Sequence, residues 1–150
     1  MNSIKYKDFK THEKAFFIGL IIWIFLQTTR FIAFSLIDEI NNGGESLAWM
    51  YPAFLDIFAA VLAFPLIAAL CINRGLSVWS MSIIYLSISI VDHFGNFTTT
   101  TFVGPPSIVE EGMDPLLVPI IQTVLDFIFL ILLFIPTYRN LFFKLKTSND

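Results

Sequence analysis

Four apolar runs, at about 15–36, 48–72, 77–95 and 115–136, account for most of this chain. Each is close to the roughly 20 residues an α-helix needs to cross a hydrocarbon core. Of the 150 residues, 56% are hydrophobic and 14% are charged, against about 45–50% and 25% in soluble domains. A run in lipid must satisfy its backbone polar groups internally, which leaves the helix as the solution at this length. The sequence thus predicts an all-α integral membrane protein. It reads as one domain over residues 1–150, a four-transmembrane-helix antiparallel bundle.

The charges between the runs are sorted by sign. Lys5, Lys7, Lys10 and Lys14 precede the first run, Arg74 lies between the second and third, and Arg139, Lys144 and Lys146 follow the fourth. The other two connections carry Asp38, Glu39 and Glu45, then Glu110, Glu111 and Asp114, with no Lys or Arg. An odd number of spans would break this sorting. The positive-inside rule makes the basic side cytoplasmic, an N-in/C-in arrangement in the cytoplasmic (plasma) membrane with the acidic loops outside. A cleaved signal peptide would also put basic residues before an apolar run. This run is long for such a leader, and Arg30 stands where a small-residue cleavage site should approach. The lone cysteine, Cys71, excludes an internal disulfide and reads as a small apolar filler.

Local signals mark the ends of the runs. The first helix is expected to start near Thr11, where Ala15 and Gly19 form one small-xxx-small step; Ala59 and Ala63 form a better one in the second. Pro65 removes a backbone donor within that second run. Gly75 suits a helix C-cap and Ser77 the next N-cap, so the second and third helices read as a hairpin. Asp114-Pro115 reads as the start of the fourth helix. Trp49 and Tyr51 fall at the predicted outer interface, and Trp79 and Tyr138 at the inner one. Residues 96–114 read as a long outer loop, with a capping-box pattern from Ser107 to Glu110 and a sequon at Asn96-Phe97-Thr98.

Three charges lie deep inside the runs: Arg30, Asp56 and Asp126. At 1.5 Å per residue they sit about 9, 12 and 16 Å below the outer helix ends. A charge at such depth costs at least about 2.5–3.5 kcal/mol on insertion scales, so it is usually paired, wetted or functional. Gln27 shares a helix face with Arg30, and Gln122 shares one with Asp126. Asp92 is four residues from Asn96, while His93 is expected to face elsewhere; both read as a solvated helix end near the interface. One guanidinium, always charged, faces two deep carboxylates. If Arg30 pairs with either, the other is left protonated or in need of a cation.

Gln27, Arg30, Asp56, Asp92, His93, Gln122 and Asp126 therefore form the candidate ligand- or ion-binding polar cluster. No catalytic or metal-binding pattern accompanies it: no ExxH or HExxH spacing, Gly-rich phosphate loop or nucleophile elbow occurs. An enzyme is disfavoured, and no cofactor is expected. The basic tails fit topology and anionic lipid rather than nucleic acid. Expected partners are the bilayer and either other membrane subunits or further copies of the chain. Two functions remain open, and the small size of the chain favours the first. One is an accessory or assembly subunit of a larger membrane complex, with the cluster fixing helix packing. The other is a sensor or small transporter that binds a proton, cation or small polar ligand there.

Overall fold

A computed structural model describes residues 9–72, 74–109, 112 and 114–143. Its described residues form helices, with no strand among them. Four spans are long and apolar enough to cross a membrane: Thr11–Asn41, Leu47–Ile72, Leu76–Val103 and Leu117–Phe134. The chain is a helical, multi-pass membrane protein.

The first span is composite. Helix α1 (Thr11–Leu26) passes into a six-residue 3-10 turn, Gln27–Ile32, and continues as α2 (Ala33–Asn41). Thr28 and Thr29 support that tightened stretch, their hydroxyls donating to the Phe25 and Leu26 carbonyls at 2.7 and 2.8 Å. A short 3-10 turn, Leu47–Trp49, leads into α3 (Met50–Ile72), which runs unbroken past Pro65. Helices α4 (Leu76–Val103) and α5 (Leu117–Phe134) follow, and a short α6 (Pro136–Phe143) ends the described chain.

Several ends differ from the sequence reading. Helix α4 runs about two turns beyond the expected end near 95, through Asn96 and the threonines at 98–101. These residues favour a loop by propensity, but Thr98 and Thr101 direct their hydroxyls to the Phe94 and Phe97 carbonyls at 2.7 and 2.8 Å. They bond their own helix instead of competing with it. Helix α4 ends at Gly104, whose φ of 112° favours glycine. Asp114 and Pro115 precede α5 rather than open it: the Asp114 carboxylate accepts the Leu116 N–H at 2.9 Å, forming a turn before Leu117. Gly75, at φ 132°, is the N-cap of α4, and Ser77 lies inside that helix. Asn73, Glu110, Glu111, Lys5, Lys7, Lys144 and Lys146 lie outside the described residues, as does the acidic half of the Ser107 capping pattern.

Two apolar clusters flank the centre of the first span. The larger joins Phe16, Phe17, Leu20 and Ile24 to Leu66, Leu70, Leu86 and Leu133. The smaller gathers Ala33, Leu36 and Ile40 around Trp49 and Ala53. Between them Ala59, Ala60 and Ala63 are fully buried on α3, so this helix approaches its neighbours closely. Outward faces are large and apolar, as lipid requires. Helix α5 is the least enclosed span, with Asp126 and Leu133 its fully buried residues.

The ends of the molecule are tied by specific contacts. At one end the Arg74 guanidinium lies 4.1 Å from the Phe9 ring centre and 4.6 Å from that of Phe17, and Phe16 packs on Tyr138. At the other end the 104–109 segment is strapped down. The Ser107 N–H donates to Glu45 at 2.8 Å, and its hydroxyl to Glu39. The Ser46 N–H donates to the other Glu45 oxygen at 2.8 Å. These amide donors hold the Glu45 carboxyl below the ordinary carboxylate range.

Two predictions follow from these ties. Ile135 leaves the helical conformation, which separates the Leu133 carbonyl from its helical donor at Thr137, and Pro136 has no N–H to replace it; the Trp79 indole N–H supplies one at 2.9 Å. Trp79→Phe should cost about 1–3 kcal/mol of stability, the range for an unsatisfied buried carbonyl, in reversible unfolding in mixed micelles. Glu45, with its pKa depressed on folding, stabilises the strap above the unfolded carboxylate pKa of about 4.3 and loses that contribution as pH falls through the folded value. Hydrogen exchange at 104–109, corrected for intrinsic rate, should stay flat from about pH 7 to 5 and rise below about 4. Glu45→Gln should shift exchange little with pH.

Candidate functional site

The 3-10 turn in the first span sets the geometry of the site. At three residues per turn, side chains at i and i+3 eclipse, which stacks Gln27 directly under Arg30. The Arg30 Nε–H donates to Gln27 Oε1 at 2.7 Å, and both residues are buried. This clamps the guanidinium plane and turns its outer nitrogens towards α4. There Nη1 reaches Asp92 Oδ2 at 2.6 Å, and Nη2 reaches Ser89 Oγ at 2.5 Å and His93 Nε2 at 2.6 Å. Asp56 of α3 places Oδ1 3.7 Å from the same Nη1. Two carboxyl groups from different helices thus converge on one guanidinium nitrogen.

Asp126 brings α5 into the cluster. Its Oδ1 accepts the Trp23 indole N–H at 2.6 Å, and its Oδ2 lies 3.2 Å from His93 Nε2. Ser89 Oγ is 3.3 Å from that same ring nitrogen. All four spans therefore contribute a side chain, and Arg30, Asp92, His93 and Asp126 are each at most 5% exposed. Asp56 is the most open member, its side chain 21% exposed.

Not every polar atom is satisfied. Gln27 Nε2, Tyr85 OH, Asp92 Oδ1 and Asp126 Oδ2 are buried without a hydrogen-bond partner. A buried donor or acceptor left so costs about 1–3 kcal/mol.

Several sequence expectations change. Arg30 makes its closest carboxylate contact with Asp92, not with Asp56 or Asp126. Asp92 and His93 are not a solvated helix end: they are 0% and 1% exposed, because the longer α4 carries them to depth. His93 does not face away; at one residue from Asp92 it reaches the other side of the same guanidinium. Gln122 stands apart, half-buried and without a hydrogen bond among the described residues. Trp23, Ser89 and Tyr85 belong to the neighbourhood and were not in the candidate set. Trp23 was accessible from spacing, since 23, 27 and 30 fall on one face of the first span.

Among the described residues no group of three or more His, Cys, Asp and Glu side chains is disposed to hold a metal ion. The position between Asp56 and Asp92 is taken by Arg30 itself. No family model, curated protein or solved structure matches the chain.

Removing one partner from a buried ionic cluster leaves the others uncompensated. Arg30→Met should cost about 3–5 kcal/mol in reversible unfolding. Adding Asp92→Leu should recover part of that loss, because an apolar pair replaces an orphaned acid. Arg30→Lys should fall between wild type and Arg30→Met, a point charge being unable to reach Gln27, Ser89, Asp92 and His93 together.

Proposed function

We propose that this chain is a proton-responsive membrane protein of the sensor type, with His93 as its switching group. The observation that carries this reading is the competition for one atom, His93 Nε2. Arg30 Nη2, Asp126 Oδ2 and Ser89 Oγ approach it at 2.6, 3.2 and 3.3 Å. A guanidinium only donates. Its short contact therefore requires an unprotonated Nε2, with the imidazole proton on Nδ1. A proton arriving at Nε2 makes that nitrogen a donor, which breaks the contact with Arg30. The nearest waiting acceptor is Asp126 Oδ2, an atom otherwise without a partner.

One proton thus moves His93 from the first span's arginine to the aspartate of α5. Every element around the ring supplies a group that feels the change: Gln27 and Arg30 from the first span, Asp56 from α3, Tyr85, Ser89 and Asp92 from α4, and Asp126 from α5. Three carboxyl groups and one fixed cation surround the ring, so a proton arriving at Nε2 finds an acceptor within reach. Helix α5, with few buried residues, is the element freest to respond.

The orientation we propose is an antiparallel bundle, N-in and C-in, in the plasma membrane. It is supported by the grouping of Phe9, Arg74 and Tyr138 at the basic end and of Glu39, Glu45 and Ser107 at the acidic end. The second reading, an accessory subunit whose cluster only locks helix packing, is favoured by the engagement of all three Arg30 nitrogens. It predicts a stoichiometric partner in native mass spectrometry after gentle extraction.

Nitrogen-15 NMR of imidazole tests the switch directly, using His12→Gln so that His93 is the sole histidine. At about pH 8 the shifts should report a neutral ring protonated at Nδ1. Acidification towards about pH 5 should add a proton at Nε2 and change the Trp23 indole signal. An Nε2–H tautomer at high pH, or a ring that never titrates over this range, overturns the proposal.

A further inference from the structure

A second site lies outward of the cluster, under the strap that follows α4. It is a cavity of about 330 Å³ between the outer ends of α4 and α5, within the size range of small-molecule pockets, roughly 300–1,000 Å³. Its walls are mostly apolar: Ile108 and Val109 of the strap, Val118 at the start of α5, and the Trp49 indole. Asn96 and Thr100, one helical turn apart on α4, supply hydrogen-bonding groups. Asp114 supplies a carboxylate; one oxygen holds the Leu116 N–H, which leaves the other for a ligand.

The cavity is built rather than incidental. Its roof is anchored by the Ser107 contacts to Glu39 and Glu45, and Ile108 packs on the Trp49 cluster. The electrostatics select the sign of the occupant. Asp38, Glu39, Glu45 and Asp114 are the ionisable groups of the described outer segments, and all are acids. An anion would meet repulsion without a donor cation, whereas an ammonium group would meet the Asp114 carboxylate and an aromatic wall. We propose that this cavity binds a small amphipathic amine, its apolar body between the strap and Val118 and its ammonium group at Asp114. This assignment is independent of the proton switch.

Fluorine NMR with 4-fluorophenethylamine and its neutral analogue 4-fluorophenethyl alcohol tests the assignment. Full-length protein in phosphatidylcholine nanodiscs is compared with empty nanodiscs, which subtracts partitioning into lipid. The amine should bind saturably and more tightly than the alcohol. Asp114→Asn should weaken amine binding about five-fold, the upper end for an exposed ion pair, and leave the alcohol unchanged. Val118→Trp, which fills the cavity, should abolish binding of both. Absence of saturable binding, no preference for the amine, or amine binding unaffected by Asp114→Asn overturns the proposal. The His93 nitrogen signal in Asp114→Asn should match that of the parent, so failure here is distinct from failure of the switch.

Discussion

The fold is organised around one guanidinium. Arg30 is held from below by Gln27 through its Nε and reaches across to Asp92, Ser89 and His93 through its two outer nitrogens. Lipid offers no competing hydrogen bonds, so an arginine at this depth forces its neighbours to arrange themselves around it. The apolar clusters on either side provide close packing but little register, since leucine and phenylalanine tolerate sliding. A planar fork with fixed donor directions does not. The polar centre therefore specifies which helix faces meet, and the apolar clusters supply the bulk of the contact.

Levels along the helices show how consistent this is. Eleven residues separate Arg30 from the end of its span at Asn41, and eleven separate Asp92 from Val103. Nine separate Leu47 from Asp56, and nine separate Leu117 from Asp126. Four ionisable side chains from four spans thus lie at similar distances from a helix end. The 3-10 turn contributes by stacking Gln27 under Arg30, which an ordinary α-helical turn would leave offset by about 60°.

Much of this was legible in the residues, and the rest was hidden for identifiable reasons. Four spans, the presence of Arg30, Asp56 and Asp126 within three of them, and the pairing of Gln27 with Arg30 follow from hydropathy and spacing. The partner of Arg30 is not legible, because a helix ending near 95 would leave Asp92 close to the interface. Threonines at 98–101 look like loop, but in a helix their hydroxyls return to their own carbonyls, and the two added turns move Asp92 and His93 inward. Gln122 shows the converse: an i,i+4 relation to Asp126 places two side chains on one face without making both reach the same neighbour. Helix α5 starts two residues later than the sequence suggests because Asp114-Pro115 forms a capped turn of its own. Spacing reports which face a residue lies on. Which atoms meet depends on the neighbouring helix.

The separation of Arg30 from Asp92 along the chain, 62 residues, bears on how such a protein is made. The first span is synthesised and offered to the bilayer before its principal acid exists. At about 5–20 residues per second, the interval before Asp92 emerges is about 3–12 s. During it Arg30 has Gln27 from its own helix but none of the groups of α4, and the apolar residues around it must carry the insertion. The first span thus enters the membrane on hydropathy alone and acquires its fixed rotational setting only when the third arrives. The groups around Arg30 are thus complete only once α4 is made, and Asp126 of α5 joins them last.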